Sequence, residues 1–213
     1  KGFHMPDQSA LAMAHGGQVA WLVPTYRNAR AAWRFAEAHA GGLGRINRAE
    51  RTIEIRHGRL SVYSADNDTA MRGEAFDLII VDEAALIREE TYTDVLLPTL
   101  ADRNGRVMLI GTPVGRNWFW REWTRGRRSE PGYAAFQAPT RDNPMPTIQR
   151  AADIARHRVS DRTYRQEWLA EFVDDAGGVF RDVRGLIDHE PIADQAGGVY
   201  VAGIDWGREH DYT

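Results

Sequence analysis

The run Phe76 to Glu83 (FDLIIVDE) decides the fold class. Phe76 to Val81 is almost wholly apolar, and a continuous apolar run of this kind suits a strand buried on both faces, as in a parallel sheet. The run then stops at two adjacent acids, Asp82 and Glu83. Paired acids at the end of a buried strand form the Walker B arrangement: the first carboxylate holds Mg²⁺, and the second orients the water that attacks a γ-phosphate. The same acids also suit the start of a helix expected over Ala84 to Glu90, where carboxylates face the positive end of the helix dipole. Both readings stand until the surrounding elements are placed.

Gln18 to Val23 (QVAWLV) is a second apolar run and ends at Pro24, where the ladder loses a donor. Asn28 to Ala40 repeats Ala29, Ala32, Trp33, Ala36 and Ala40 at helical spacing and stops at Gly41-Gly42. Arg51 to Ser64 alternates apolar and polar residues around His57-Gly58, which predicts a two-stranded hairpin. Arg106 to Ile110 (RVMLI) is a third central strand, leading into Gly111-Thr112-Pro113. Strands alternating with helices predict an α/β domain whose ligands sit at the carboxyl ends of a mainly parallel sheet. Prolines and polar residues from Pro139 to Pro146 mark a boundary. Thr147 to Phe172 then reads as one or two helices forming a lid or linker. Gly198 to Ile204 predicts a last strand ending at Asp205, with the chain stopping before the domain it opens is finished.

The chain has 213 residues, 43% of them hydrophobic, a net charge of −3 and no cysteine. That suffices for a packed core, excludes disulfides and thiolate metal sites, and argues against a wholesale nucleic-acid coat. The sequence holds no apolar run of membrane-spanning length, so no membrane partner and an intracellular setting are expected. Lys1 is the sole lysine. A Gly-rich phosphate loop of the form G-x-x-x-x-G-K-[ST] therefore has no match. Lys1 itself does not serve, because Gly2-Phe3 follows it and Pro6 falls where the next helix should run.

Gly111-Thr112-Pro113 ends the strand after the acids, so both loops should share one sheet edge, where a threonine hydroxyl can sense phosphate hydrolysis. A plain strand-ending turn is the alternative. Arg116, Arg121, Arg125, Arg127 and Arg128, interleaved with Trp118, Trp120 and Trp123, form the most basic stretch. They suit either contact with DNA phosphates or a solvated helix face over buried tryptophans.

Val23-Pro24-Thr25-Tyr26, Met71-Arg72-Gly73, Ile80 to Ala85, Gly111-Thr112-Pro113 and Asn117-Trp118-Phe119 follow one another in an order that resembles the large terminases of tailed phages. Tyr164 to Trp168, Ala170 to Val173, Gly203 to Gly207 and Asp211-Tyr212 extend the resemblance over almost the whole chain. It implies a P-loop NTPase of the additional-strand type over 1–138, a helical linker over 139–198, and the first strand of a ribonuclease H-like nuclease over 199–213. The implied activity is ATP-driven packaging of double-stranded DNA into a procapsid.

By the same resemblance Asp82 is the Mg²⁺-side acid, Glu83 the catalytic glutamate, and Gly111 to Pro113 the segment coupling hydrolysis to movement. Arg72 falls where some members place an arginine finger acting on a neighbouring subunit; a surface ion pair with Glu74 or Asp68 is the alternative. Phe3 to Gln8 resembles the segment before the phosphate loop, with Gln8 reading adenine. The loop itself is then expected between Gln8 and Ser9 as a stretch left out of this sequence, or else lost by deletion. Asp205 and Asp211 resemble nuclease ligands for two divalent ions, Mg²⁺ or Mn²⁺, and the site's other carboxylates are expected beyond Thr213. Implied partners are DNA, the portal protein, the small terminase subunit and further copies in a ring. The implied location is the host cytoplasm at the procapsid portal, not the mature virion. A helicase-like translocase and a non-catalytic DNA- or portal-binding module remain as alternatives.

Overall fold

The computed structural model describes residues 15–173 apart from 41 and 43, all inside one compact unit, Lys1–Val173. Six strands form a single sheet: β1 Gln18–Val23, β2 Arg45–Asn47, β3 Thr52–Ile55, β4 Gly58–Ser64, β5 Leu78–Val81 and β6 Arg106–Leu109, in the spatial order β2-β3-β4-β1-β5-β6. β1 runs parallel to both β4 and β5, and β5 parallel to β6. β2 and β3 add an antiparallel margin. The expected mainly parallel centre is present.

Side chains alternate across the strands, so each face of the sheet carries its own core. Val19, Trp21, Val23 and Ile80 meet α1, Tyr26–Ala40, through its buried stripe Ala29, Ala32, Trp33, Ala36 and Ala40. Ala20, Leu22, Ile79 and Val81 pack on the other face with Met71, Tyr92, Val95, Leu96, Trp118 and Phe119. Those residues come in part from α2, residues 89–101, and from α3, Trp118–Arg127. Within α2 a π turn, Tyr92–Leu96, separates two α turns. Pro98 gives the reason: it has no N–H to return to the carbonyl of Asp94, and the ladder loosens there.

Two elements differ from the sequence expectation. The helix expected over Ala84 to Glu90 is a single 3₁₀ turn, Ala84–Leu86, followed by extended Ile87 and Arg88, with helix starting only at Glu89. The cause is backbone capture: the Ala84 N–H donates to Ile110 O at 2.8 Å, and Glu83 is left-handed at φ 51°, ψ 48°. The hairpin turn is centred on Arg56-His57 rather than His57-Gly58, because Gly58 pairs with Ile55 and Arg56 takes the positive φ of 56°.

Two helices follow Pro139 to Pro146, where the sequence predicts one or two: α4, Pro146–Arg156, and α5, Asp161–Glu167, the latter capped by Ser160 Oγ accepting from Thr163 N–H at 3.1 Å. The chain returns from them to α3. Phe172 lies against Phe119 and Trp123 with ring centroids 5.7 and 5.1 Å apart, and the Thr140 N–H donates to Trp168 O at 2.7 Å. Among the described residues no helix is long and apolar enough to cross a membrane.

Candidate active site

Four parallel strands, β4, β1, β5 and β6, deliver their carboxyl ends to one edge of the sheet. There the backbone is tied across strands. The Asp82 N–H donates to Leu22 O at 2.8 Å, and the Ile110 N–H donates to Val81 O at 2.9 Å. Gly111 follows at the closest point of approach. A Cβ on it would lie 3.0 Å from the Ala84 nitrogen and 3.1 Å from the Glu83 Cα, so a side chain here would push the strand end away from the acids.

A cavity of about 330 Å³ opens at this edge, lined by Trp21, Pro24, Asn28, Phe35, Asp82, Glu83 and Gly111 among others. The two acids occupy it with different backbones. Asp82 ends the strand and accepts the Glu83 N–H on Oδ1 at 3.1 Å. Glu83 sits in the left-handed region, which costs a non-glycine residue about 1–2 kcal/mol, and its Oε2 lies 3.5 Å from the Thr112 nitrogen. Adjacent residues on a strand would diverge to opposite faces; the left-handed turn at Glu83 lets both line one cavity. Thr112 is buried. Among the described residues no group of three or more His, Asp or Glu side chains could hold a metal.

The rim is shaped by the start of α1. Thr25 caps it, with Oγ1 accepting from the Asn28 N–H at 3.3 Å. Asp66 Oδ2 accepts the otherwise orphaned Tyr26 N–H at 2.8 Å. Trp21 lines the cavity with its buried indole N–H unpartnered. Neither Trp21, Phe35 nor Asp66 was legible as a site residue, since each is separated from the acids in sequence and carries no motif.

Arg72 closes the 3₁₀ turn Ala65–Met71 that follows β4. It is exposed and does not line the cavity. The surface ion pair considered for it is not formed among the described residues: Asp68 instead faces Arg88 at 3.8 Å and accepts from Thr91 Oγ1 at 2.7 Å. Phe3, Gln8, Asp205 and Asp211 lie outside the described residues, as does the Gln8–Ser9 junction.

Arg116, Arg121, Arg125 and Arg127 of the basic stretch are engaged. Arg121 bonds Glu89, and this hydrogen bond pushes the guanidinium pKa up. Arg125 donates to Glu130 at 2.9 Å, lies 3.5 Å from Glu122 and stacks over Tyr133 at 4.0 Å. Arg116 stands over Trp120 at 5.3 Å. Trp118 is buried and stacks on Tyr92 at 4.7 Å; burial first, and then the charge of Glu122, raise the Tyr92 pKa.

Residues 8–183 match the family described as terminase large subunit, T4likevirus-type, N-terminal. The chain is 31% identical over 180 residues to the terminase large subunit of Escherichia phage T5, covering 81% of this chain and 41% of that protein. It is 29% identical over 178 residues to the terminase large subunit of Thermus phage G20c, covering 70% of this chain and 36% of that protein. The chain thus spans about two fifths of the length of these relatives. Among solved structures, the ATPase domain of the Thermus phage P74-26 large terminase superimposes with a TM-score of 0.67 at 24% identity, covering 81% of this chain and 86% of that one. A large terminase from a thermophilic bacteriophage, solved in complex with ATP-gamma-S, gives a TM-score of 0.61 at 15% identity, covering 79% of this chain and 43% of that one.

Proposed function

The chain belongs to the terminase large subunit family, and from that premise we propose that it hydrolyses ATP as a P-loop-type motor that moves double-stranded DNA into a procapsid. The observation that carries this reading is the meeting of Asp82, Glu83 and Gly111 around one cavity at the carboxyl edge of a parallel sheet. The thermophilic-phage relative whose fold this chain shares has been solved in complex with ATP-gamma-S, which fits the same class of ligand.

Asp82 would hold a Mg²⁺ ion there, directly or through water, and the ion would offset the charge of the transferring phosphoryl group. Glu83 orients the attacking water, and the Thr112 N–H beside its carboxylate lets the Gly111 to Pro113 loop respond to what occupies the cavity. Arg72 is exposed and is the proposed arginine finger acting on the nucleotide of a neighbouring subunit. In the longer protein Asp205 and Asp211 belong to a metal-dependent nuclease. The portal protein, the small terminase subunit and further copies in a ring are the proposed partners, in the host cytoplasm at the portal.

For DNA contact, α1 is the better candidate than α3. Arg27, Arg30 and Arg34 are exposed, fall on one face by their spacing of three and four, and form no ion pair among the described residues. Phosphates of a duplex would neutralise this stripe.

The absence of any lysine after Lys1 favours one competing reading, a DNA- or portal-binding module without nucleotide. ATP turnover by the full-length protein, titrated with Mg²⁺, separates the two. Turnover should require Mg²⁺, and Asp82→Asn should raise the Mg²⁺ concentration for half-maximal rate about tenfold or more. Failure of the wild type to bind Mg²⁺-ATP at all would favour the binding module.

A further inference from the structure

Glu83 stands in a strained conformation at the head of a very short turn. Between Ala84 and Ile87 that turn makes only two backbone hydrogen bonds of its own, Leu86 N–H to Glu83 O at 2.9 Å and Ile87 N–H to Ala84 O at 3.1 Å. A left-handed residue persists only where its surroundings over-determine it. Further restraint comes from the start of α3. The Asn117 side-chain amide donates from Nδ2 to Ala85 O at 3.0 Å. The neighbouring Trp118 donates from Nε1 to Ile87 O at 2.7 Å, a buried bond.

Asn117 uses both ends of its amide. Its Oδ1 accepts the Trp120 N–H at 3.3 Å and caps α3, while its Nδ2 reaches back to the turn after Glu83. The same residue terminates the loop that starts at Gly111, whose Thr112 N–H lies beside the Glu83 carboxylate. A closed circuit results: Glu83, the turn Ala84–Leu86, Asn117, and the Gly111 loop returning to Glu83. Trp118 is packed into the core and has no freedom to act separately from the fold. Asn117 is half-buried and touches the turn by one polar bond, so it can be altered without opening the core.

We propose that Asn117 is a positioning residue for Glu83, holding Ala85 O so that the glutamate backbone stays left-handed and its carboxylate stays at the cavity. This rests on the ATPase reading above. Asn117 acts through the turn, not by touching nucleotide or water. The bond also ties the orientation of α3 to the glutamate, so a shift of either end moves the other.

The test is a comparison of Asn117→Asp and Asn117→Ser with wild type in the full-length protein, reading kcat, KM for ATP and Tm together. Aspartate and serine both keep an N-cap acceptor for α3. Aspartate loses the donor and sets a carboxylate against Ala85 O; serine is too short to reach it. The expected result is a kcat lower by about tenfold in both, with KM for ATP changed less than about twofold and α3 folding retained. Wild-type kcat in either variant overturns the proposal. So does a loss of kcat that merely follows a fall in Tm and a rise in KM, which would mean that Asn117 serves only the fold. A wild type that never turns over ATP overturns the ATPase reading and this inference with it, whereas active wild type with unaffected variants overturns this inference alone.

Discussion

Helices α1 and α3 read alike in sequence, each mixing arginines with tryptophan and small residues, yet they end in opposite states. In α3, Arg121 and Arg125 are held by Glu89, Glu122 and Glu130, and Arg125 also covers Tyr133. In α1, Arg27, Arg30 and Arg34 face solvent with no carboxylate on them among the described residues. Glu37, the acid of α1, is taken by Arg48 at 2.6 Å. Positive charge counted along the chain therefore does not rank the two helices. What matters is which acids reach the arginines: Glu89, at the start of α2, meets Arg121, while Glu122 on α3 itself and Glu130 just past its end meet Arg125. A guanidinium whose charge is already offset by a carboxylate gains less from a phosphate than one in water.

The contrast breaks most clearly on DNA affinity. Replacing Arg27, Arg30 and Arg34 together by Ala should weaken binding of the full-length protein to duplex DNA about tenfold or more at low salt. The slope of log K against log salt should flatten by about 2.7, near 0.9 for each phosphate no longer neutralised. The matching change of Arg121 and Arg125 to Ala should alter affinity less than about twofold. The reverse order of effects would assign the DNA to α3. A smaller effect sharpens the point: Glu89→Gln, Glu122→Gln and Glu130→Gln together should remove the charge that offsets Arg121 and Arg125 and raise DNA affinity by about two- to threefold, measured under the same salt series. No gain would mean that the carboxylates are not what keeps α3 from the duplex.

Much of the fold was legible because it rests on local pattern. β5 and β6 are continuous apolar runs that end sharply, and the residues just past their ends are Asp82, Glu83 and Gly111. The apolar spacing of α1 and the helical content of 146–167 follow the 3.6-residue period. What escaped depends on contacts between segments far apart. The helix expected after Glu83 is broken because Ile110 O captures the Ala84 N–H. β2 is three residues at the sheet margin, with neither arginine nor asparagine buried, so no apolar alternation announces it. Asn117 belonged to a motif recognised only by its place in the series; its bond to Ala85 O spans 32 residues, and its meaning needed the fold.

On the proposed reading, Glu83 is the residue on which hydrolysis at this sheet edge turns. The decisive measurement is steady-state Mg²⁺-ATP turnover of the full-length protein against its Glu83→Gln variant, with binding of Mg²⁺-ATP measured alongside. Loss of the carboxylate should lower kcat by about 100-fold or more, the usual weight of a positioned base, while nucleotide affinity stays within a few-fold. A glutamine variant that hydrolyses ATP at the wild-type rate would contradict the assignment of this sheet edge as the hydrolytic site.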